Sequence, residues 1–523
     1  MKYRVLIPTA GIGSRLAEET KYINKSLVTV NNQPIISHII NKFPISTEFV
    51  IALGYKGDLV KQYLKIAHPK NKFIFVKIGN YIGRGSGLGL TLHECKKFLQ
   101  LPFIFFSCDT YVLDQKISLP NMNWIGYSKS YNPKLYRTIK IKKKKLVKIY
   151  NKNFTGGNYD YIGLAGINDY KEFWRHINKN KNVINNGEIV GLNHILHKKI
   201  YTHKFKWFDC GNTKTLNALR DKLYKNGQPN ILPKKDEFIS FVKDQVIKFH
   251  ADKNFIKKRV SRQNILKNFT PKIEKFSKNF YSYKKVKGFI FSKKNNRYNF
   301  QRLITHLEKF WVKKELNSNK KFLFYKNCLN FYKSKTLMRL NKFYIKDNLK
   351  DNNIIINNNK VPNIKSIFKK IDWKQISKGV PVNFHGDLHF ENILISSKKI
   401  KLLDWRQDFS GNIFFGDIYY DFAKLLHGMI VSHEIVKNNG YNVKINRSKV
   451  ILNIKKNKKN IESINLFFKW LLLNGYNIKK VKIICGLIYL NIAALHHNPY
   501  SIFLFYLGKL VIFNAISNKR KIL

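Results

Sequence analysis

The chain has 523 residues and a mass of 61.7 kDa, more than one hydrophobic core ordinarily supports, so at least two domains are predicted. Its apolar fraction of 44% excludes an intrinsically disordered protein. The five cysteines form no Cys-x-x-Cys pair, which argues against zinc or a disulfide framework and for reduced thiols in a cytosol. The net charge of +66 predicts a positive field that attracts anions such as nucleotides and sugar phosphates.

The charge has a compositional cause as well, because lysines are spread along a chain that is also rich in Asn, Ile, Phe and Tyr, as AT-rich coding produces. No motif for specific nucleic-acid recognition accompanies it. The N-terminus enters an apolar strand without a signal-peptide pattern, and no apolar run reaches the ~18 residues of a spanning helix. We therefore expect a cytoplasmic protein without a membrane span.

Strands and helices alternate over the first 225 residues. Strands are predicted at 49–54, 73–79 and 103–109, and helices at 58–67 and 88–99. This alternation predicts an α/β domain over residues 1–225, with a doubly wound, mostly parallel, Rossmann-like sheet and a ligand at the carboxyl ends of its strands.

The first strand leads into the glycine-rich turn GIGSR, which contains Gly11, Gly13 and Ser14. The turn lacks the third glycine of a dinucleotide fingerprint and the Gly-Lys-Ser/Thr of a P-loop. With Arg15 and Lys25 following, it predicts a backbone cradle in which two cations neutralise a triphosphate.

The stretch PTAGIGSRLAEETKYINKSLVTVNNQPII resembles the signature loop of the sugar-1-phosphate nucleotidyltransferase family, with Asn24 in place of the usual Pro before Lys25. The resemblance implies that Arg15 meets the β- and γ-phosphates and that Lys25 stabilises the α-phosphate under attack. It extends to GRGSGLGLTL, where Gly85, Ser86 and Gly87 match a base-contacting segment.

Two aspartates complete this resemblance. Asp109 in FFSCDTYV and Asp209 in KWFDCGN match the two Mg²⁺ ligands of the family. Lys152 is expected to meet the substrate phosphate, whereas Asn151 replaces the sugar-binding Glu, which leaves the identity of the substrate open. The lysine-rich run at 139–150 predicts an exposed hairpin with a solvated face.

Residues 226–236 concentrate Gly, Pro and charges, and they are predicted to link the first domain to a second at 237–523. The second domain begins with a hairpin that carries Lys248. Residues 293–380 follow a mainly helical pattern interrupted by an Asn-rich loop or insertion at 351–360, and apolar helices are expected towards the C-terminus. The histidines of that last region show no metal-ligand spacing; they are His427, His433, His496 and His497.

The stretch HGDLHFEN at 385–392 carries the clearest chemistry. Asp387 is followed by Asn392 and, after a predicted strand, turn and strand, by Asp404. Phosphoryl transfer from a nucleotide requires this set, with one carboxylate to orient the attacking hydroxyl and an amide and a second carboxylate to hold Mg²⁺.

These motifs resemble those of aminoglycoside phosphotransferases and choline kinases. The resemblance implies a bilobal α+β kinase-like domain, with a small lobe at about 237–292 and a helical large lobe at about 293–523. Asp387 is then the catalytic carboxylate, Asn392 and Asp404 bind Mg²⁺, and Lys248 contacts the ATP phosphates. His385 is expected to position the loop, and Asp417 and Asp421 to cap a helix and brace that loop. No Gly-rich loop covers the phosphates, and the helix that should supply a Glu partner for Lys248 offers Arg259 and Arg262.

The leading hypothesis is a bifunctional enzyme that uses ATP and a second NTP. A kinase phosphorylates a small hydroxyl compound, most economically a sugar at its anomeric position. A nucleotidyltransferase then couples the product to an NTP, releases pyrophosphate and forms a nucleotide sugar for surface polysaccharide. One alternative is a choline or ethanolamine kinase fused to a CTP-dependent cytidylyltransferase. Another is a degenerate, non-enzymatic nucleotide-binding or nucleic-acid-binding protein.

Overall fold

A computed structural model describes residues 2–178, 181–223 and 236–519 of the chain. It divides into two compact units. The first comprises residues 1–256 and 274–285, and the second comprises residues 257–273 and 286–523. The predicted linker at 226–236 lies, except for its last residue, outside the described residues.

The first unit is an α/β structure with strands and helices in alternation. Its first thirteen strands are β1 Arg4–Pro8, β2 Thr29–Val30, β3 Gln33–Pro34, β4 Glu48–Leu53, β5 Lys72–Lys77, β6 Phe103–Phe106, β7 Thr110–Val112, β8 Trp124–Ser128, β9 Thr138–Lys142, β10 Lys145–Tyr150, β11 Tyr159–Ile167, β12 Tyr201–Lys204 and β13 Trp207–Asp209. Its helices are α1 Ile35–Ile40, α2 Gly57–Ala67, α3 Leu88–Cys95, α4 Tyr170–Arg175, α5 Lys181–Asn186, α6 Glu188–His194 and α7 Thr213–Leu223.

Nine strands form the main sheet, in the order β5-β4-β1-β6-β11-β8-β12-β10-β9. The four strands β5, β4, β1 and β6 are parallel, as predicted, whereas β11 runs antiparallel to both of its neighbours β6 and β8. The sheet is therefore mixed beyond β6. The predicted hairpin at 139–150 is confirmed as β9 and β10, and β9 also pairs with β11.

Successive side chains of a strand point to opposite faces of the sheet, and both faces are covered by buried apolar clusters. In β1, Val5 and Ile7 belong to one buried apolar cluster, while Leu6 between them belongs to the other. This burial explains why β1 is a continuous apolar run, and it places the chain after Pro8 at the carboxyl edge of the parallel strands.

A second, four-stranded sheet follows, in the order β14-β15-β17-β16. Its strands are β14 Glu237–Val242, β15 Gln245–His250, β16 Ile273–Phe276 and β17 Phe280–Lys284. Phe249 and Phe280 share an apolar cluster with the main sheet, and the Phe280 ring lies 5.9 Å from that of Tyr63. Residues 237–256 and 274–285 thus pack into the first unit, although the sequence predicts them as the small lobe of the second domain. The domain boundary stays a prediction.

The helix α8 Lys253–Leu266 crosses the division between the units. The strands of the second unit, within the residues described, are β18 Phe289–Ile290, β19 Ile354–Ile356, β20 Asn359–Val361, β21 Pro381–Val382, β22 Ile393–Ile395, β23 Ile400–Leu402, β24 Gly416–Asp417, β25 Tyr441–Asn446 and β26 Lys449–Ile454. Its helices are α9 Phe291–Lys294, α10 Arg297–Phe310, α11 Ser318–Leu329, α12 Lys335–Asp347, α13 Ile364–Lys369, α14 Trp373–Ser377, α15 Ile418–Ile430, α16 His433–Lys437, α17 Lys458–Leu473, α18 Ile478–Ala493 and α19 Tyr500–Ile516.

The helical pattern predicted for 293–380 is confirmed, but the Asn-rich stretch at 351–360 is not an irregular loop. It forms the hairpin β19–β20, which turns at Asn357 and Asn358 with φ of 44° and 64°. Two-residue hairpin turns need positive φ, and Asn tolerates it better than most residues. The apolar helices expected towards the C-terminus are present as α17, α18 and α19, and a hairpin that the sequence did not predict, β25–β26, joins β19 in the same sheet.

Among the described residues, no helix combines the length and the apolar character that crossing a membrane requires.

Candidate functional sites

The glycine-rich turn of the first unit is tightly packed. Gly13 has a φ of 74°, and a Cβ there would lie 3.0 Å from Cβ of Lys25 and 3.1 Å from Cγ2 of Thr20. Both the backbone conformation and the space therefore favour glycine. The turn leads into a 3₁₀ helix over Ser14–Thr20, which carries Arg15.

Lys25 is placed by its buried neighbour Asn24. The Asn24 side chain donates to the carbonyls of Thr9 (2.8 Å) and Tyr55 (2.6 Å) and accepts from the amide of Ser26 (2.9 Å). Asn24 stands at the position of the proline in the family that this loop resembles, and it holds the loop through these hydrogen bonds. Lys25 Nζ then lies 3.1 Å from Oδ2 of Asp109.

A short antiparallel ladder brings the two predicted metal-binding aspartates together. Asp209 ends β13 opposite Thr110, the residue after Asp109, and the amide of Cys210 donates to the carbonyl of Asp109 at 2.8 Å. A Cβ on Gly211 would lie 2.9 Å from Asp209 Oδ1, 3.3 Å from Asp109 Oδ2 and 3.0 Å from Arg15 Nη2. Two carboxylates and one guanidinium therefore converge on a position that only glycine leaves open.

The ionisation of this cluster follows from its contacts. Burial by itself raises the pKa of Asp109, but Lys25 and the hydroxyl of Ser107, which donates to Oδ1 at 2.6 Å, outweigh it and lower the pKa to about 2. Burial lowers the pKa of Lys25, yet the Asp109 carboxylate raises it above its ordinary value. Both groups are charged at neutral pH.

Asp209 has partners that the sequence did not indicate. Its Oδ2 accepts from the hydroxyl of Tyr136 at 3.1 Å and from the Asn212 amide at 2.9 Å. Asn212 lies inside the WFDCGN motif and could have been inferred, whereas Tyr136 has no signal in the sequence. The pKa of Tyr136 is raised by burial and by the Asp209 carboxylate, so the phenol stays a donor.

The remaining predicted residues of this unit lie around the cluster. Lys152 is exposed, and its pKa is lowered by partial burial and then by the positive charges of Arg15 and Arg137. Gly85, with a φ of 82°, forms a turn before α3, and Gly87 precedes the first residue of that helix. The oxygen donors of Asp109 and Asp209 are of the kind that Mg²⁺ prefers, and the opening at Gly211 lies between them.

In the second unit, the HGD segment is held by buried polar groups. Asp421 accepts from the amides of His385 (2.8 Å) and Gly386 (2.7 Å) and from Nε1 of Trp311 (3.1 Å), while burial raises its pKa to about 6. His385 is fully buried, and its Nε2 lies 2.7 Å from the carbonyl of Leu403. Asp421 and His385 thus position the loop, as predicted.

Asp417 has the predicted capping role. Its carboxylate accepts from the amide of Tyr419 in the first turn of α15 at 3.2 Å, and from the amide of Val380 at 2.9 Å. The hydroxyl of Tyr332 donates to it at 2.8 Å. These bonds anchor the N-terminus of α15, the helix that also carries Asp421.

Asp387 forms an ion pair that the sequence did not reveal. Nζ of Lys424, one turn beyond Asp421 on α15, lies 2.7 Å from Asp387 Oδ1, and the Asn392 amide donates to Oδ2 at 3.2 Å. Burial opposes ionisation of Asp387, but Lys424 and His389 hold its pKa well below its usual range. Asp387 is therefore an anion that can orient a hydroxyl group.

The hairpin β22–β23 delivers the predicted metal-binding pair. The amide of Leu403 donates to the carbonyl of Asn392 at 2.7 Å, which brings Asp404 back towards Asn392. Asp404 adopts a left-handed conformation with a φ of 57°, and its Oδ1 lies 2.9 Å from Nη1 of Arg259. The Asn392 amide oxygen and the Asp404 carboxylate form a donor set that suits Mg²⁺.

The second arginine of α8 also serves this loop. Arg262 is fully buried, stacks its guanidinium 3.9 Å from the centroid of the Phe384 ring, and donates to the carbonyls of Phe384, Arg406 and Ile413. The two arginines that α8 offers in place of a Glu partner for Lys248 therefore have structural contacts: Arg259 pairs with Asp404, and Arg262 binds backbone carbonyls. Lys248 lies in β15 of the first unit and is buried, and its predicted contact with ATP stays a prediction.

Tertiary structure groups three further side chains next to Asp387. Ligand atoms of His389, Glu391 and His433 lie within 4.8 Å of one another, a grouping that the spacing of His433 in the sequence does not indicate. Burial lowers the pKa of His389, but Asp387 and Glu391 outweigh it and raise the pKa to about 9. A protonated His389 bridges two carboxylates and opposes metal binding there.

No protein-family model matches the chain. It is 36% identical over 62 residues to a glucose-1-phosphate cytidylyltransferase of Salmonella typhimurium (strain LT2) and to that of Salmonella typhi; the match covers 12% of this chain. The chain thus spans about a quarter (24%) of the length of the curated relatives that it matches.

Solved structures also align with part of the chain. A UDP-glucose pyrophosphorylase complexed with UDP-glucose is 16% identical, with a TM-score of 0.35, over 43% of this chain and 99% of that one. The inositol-1-phosphate CTP transferase from T. maritima is 14% identical, with a TM-score of 0.35, over 43% of this chain and 97% of that one.

Proposed function

We propose that the chain is a bifunctional enzyme with a nucleotidyltransferase site in the first unit and a phosphotransferase site in the second. The observation that carries the first half is the convergence of Arg15, Asp109 and Asp209 around Gly211, with Lys25 paired to Asp109. The local identity to glucose-1-phosphate cytidylyltransferases supports it. The substrate class proposed from that support is a sugar 1-phosphate, and the nucleotide is CTP or another NTP.

The first reaction needs no general base, because a phosphate oxygen of the sugar phosphate is already an anion. It attacks the α-phosphorus of the NTP, a new P–O bond forms, and the bridging α–β P–O bond breaks so that pyrophosphate leaves with the electron pair. Catalysis is then mainly positioning and charge neutralisation. Lys25 neutralises the α-phosphate and Arg15 the β- and γ-phosphates, while Tyr136 and Asn212 orient Asp209.

Asp109 and Asp209 would hold Mg²⁺, which when bound neutralises phosphate oxygens and aligns them for in-line displacement. Lys152 is proposed to meet the phosphate of the sugar. Gly85, Ser86 and Gly87 are proposed to contact the base.

In the second reaction, Asp387 accepts a hydrogen bond from the acceptor hydroxyl and orients it towards the γ-phosphorus of ATP. The acceptor oxygen forms a P–O bond, the β–γ bridge breaks to release ADP, and the hydroxyl proton passes to Asp387 or to solvent. Lys424 stabilises the Asp387 anion. Asn392 and Asp404 would hold Mg²⁺, which supplies charge neutralisation of the ATP phosphates.

The product of the second site, a phosphorylated sugar, is proposed as the substrate of the first. An amino alcohol in place of the sugar is the alternative, and the match to cytidylyltransferases is compatible with it because its activated form would be a CDP derivative. With a sugar as the acceptor, the final product is proposed to be a nucleotide sugar for surface polysaccharide.

The test is a mass-spectrometric screen of the full chain with ATP, Mg²⁺, each NTP and a panel of sugars, sugar 1-phosphates and amino alcohols. Pyrophosphate and a nucleotide-linked product are expected from an NTP and a sugar 1-phosphate. ADP and a phosphorylated product are expected from ATP and an acceptor. Generic nucleic-acid binding without either product would refute the proposal and favour a non-enzymatic protein.

A further inference from the structure

A group of basic side chains around Phe331 outnumbers the nearby carboxylates, and Lys424 connects this group to Asp387. Lys335 and Arg406 share one aromatic ring: Nζ of Lys335 lies 4.2 Å from the centroid of Phe331, and Cζ of Arg406 lies 5.1 Å from the same centroid. The Phe331 ring is buried, with 7% of its surface exposed. Two cations on one buried ring are costly in free energy unless an anion offsets their repulsion.

Arg406 contacts the loop that carries Asp387. Its amide donates to the carbonyl of His385 at 2.8 Å, and its Cβ packs so closely on Gly386 that a Cβ added there would lie 2.6 Å away. These contacts hold the backbone and Cβ of Arg406 against His385 and Gly386, the two residues that precede Asp387.

Two further cations extend this group. Arg339 lies four residues after Lys335 on α12, and so on the same face of the helix. Lys424 reaches Asp387 from α15, one turn after Tyr420, whose ring packs 4.9 Å from that of Phe331. Burial and then the positive charges of Arg406, Arg339 and Lys424 lower the pKa of Lys335 to about 6. The Lys335 amine is therefore largely neutral at pH 7 until a bound anion offsets those charges and restores its proton.

The neighbouring carboxylates are already used. Asp408 pairs with Lys258 at 2.8 Å, and Asp387 pairs with Lys424 at 2.7 Å. Within the part of the chain that the structure describes, no ion pair to a carboxylate is found for Lys335, Arg339 or Arg406.

The two oxygens of the Asp387 carboxylate have different partners. Oδ2 accepts from the amide of Asn392, which belongs to the proposed metal site, whereas Oδ1 pairs with Lys424, the member of the basic group that contacts Asp387. The nucleotide phosphates accompany the metal, so the cations on the Lys424 side are available to the second substrate.

We propose that the phosphoryl acceptor of the second site is itself an anion, a sugar or other alcohol that carries a phosphate or carboxylate group bound by Lys335, Arg339 and Arg406. The inference rests on the proposed phosphotransfer at Asp387 and names the substrate class of that site. It disfavours choline and ethanolamine, since a cationic acceptor would enter a field of its own sign.

The first arm of the test measures turnover. ADP formation from ATP is followed with D-glucose, D-glucuronate and D-glucose 6-phosphate, which differ only at C6, and with choline. A kcat/KM at least ~30-fold higher for glucuronate or glucose 6-phosphate than for glucose is expected, and the preferred member tells carboxylate from phosphate. Preference for glucose or choline would overturn the proposal.

The second arm uses variants. Lys335→Gln/Arg339→Gln should raise the acceptor KM about ten-fold or more while the KM for ATP stays unchanged, and Lys335→Arg should retain wild-type behaviour because it keeps the charge. Lys342→Gln removes the same charge from the exposed face of the same helix and is the matched control. A change in the KM for ATP with no change for the acceptor would assign the group to the nucleotide and contradict the proposal.

The third arm is independent of catalysis. Equilibrium binding of radiolabelled inorganic phosphate is measured on the full chain under saturating Mg²⁺ and ADP. The double variant should bind at least ~10-fold more weakly at this site, and Lys342→Gln should bind like the wild type. Equal binding by the double variant overturns the anion site. Charge-dependent binding without any ADP formation leaves the site standing and refutes the phosphotransferase proposal instead.

Discussion

The two candidate sites use similar side chains but assemble them in different ways. In the first unit, Asp109 and Asp209 are a hundred positions apart and meet because β7 and β13 pair as an antiparallel ladder. In the second, Asp387, Asn392 and Asp404 come from one continuous segment folded into a loop and a hairpin. Formation of the first site therefore requires the fold of the whole α/β unit. The second site is formed by residues close together in the chain, and buried polar groups hold them in place.

The balance between positive and negative side chains also differs between the two candidate sites. The first cluster pairs each carboxylate with a cation or a neutral donor, as Lys25 and Tyr136 show. The second has a basic excess around Asp387. The following variants test how separate the two sites are.

Replacement of Asp387 by Asn should have the largest effect. It removes the anion that orients the acceptor and leaves Lys424 buried without its partner, so ATP-dependent phosphorylation should fall by about 10³-fold or more. Pyrophosphate release from NTP and sugar 1-phosphate should stay within about two-fold. Both are measured on the same preparation by product chromatography.

The control is Glu462→Gln, which makes the same carboxylate-to-amide change on the exposed surface of α17. Loss of both activities in Asp387→Asn, with both retained in the control, would contradict the two-site description.

Replacement of Asp109 by Asn should do the reverse. It removes one proposed metal ligand and the partner of Lys25, and pyrophosphate release should fall by about 10²- to 10³-fold. Phosphorylation at the second site should continue. Asp58→Asn, an exposed carboxylate in the first turn of α2, is the control. Unchanged pyrophosphate release in Asp109→Asn would remove the nucleotidyltransferase assignment.

His389 should make the stability of the second unit depend on pH. Its pKa in the folded state is about 9, above the ordinary 6.5, so the folded state holds the proton more tightly and the stabilisation is complete below pH 6.5. It should be lost as the pH rises through 9, with up to about 3 kcal/mol at stake.

The measurement is chemical unfolding followed across pH 6 to 10 for the wild type and His389→Gln. The variant should lack most of the decline between pH 6.5 and 9. A decline of equal size in the variant would show that other groups cause it.

The smallest effect is expected for Tyr136→Phe. The change removes one hydrogen bond to Asp209 and leaves the ring packed against Trp207, whose ring centroid lies 4.9 Å away. Pyrophosphate release should fall about ten-fold, since the hydrogen bond orients a proposed metal ligand and does not supply one. The rate should also depend more steeply on the Mg²⁺ concentration. An identical Mg²⁺ dependence in wild type and variant would assign Tyr136 a packing role only.

Much of the fold and of both sites could be predicted from the sequence. Strands such as β4 and β6 are apolar runs bounded by turns, and the loop at 385–392 carries its functional residues at fixed local spacing, so both can be inferred without knowledge of distant contacts. The Gly13 turn is of the same kind, because its positive φ and the approach of Lys25 leave room for glycine alone.

Tertiary structure decided the rest. The strands β14, β15 and β17 follow the predicted linker in the sequence, yet Phe249 and Phe280 bury against the first unit, because burial of apolar area depends on which surface is available and not on order in the chain. The ion pair between Lys424 and Asp387 likewise has no sequence signature in a chain with 97 Lys and Arg residues.

The local groups could be inferred from the residues alone: the glycine-rich turn, the aspartates and the loop at 385–392. Only the folded chain decided which of its many cations stand beside Asp109 and Asp387. Charges that are distant in the chain interact strongly only when burial brings them within a few ångströms in a medium less polarisable than water. The folded structure alone shows that distance and that burial.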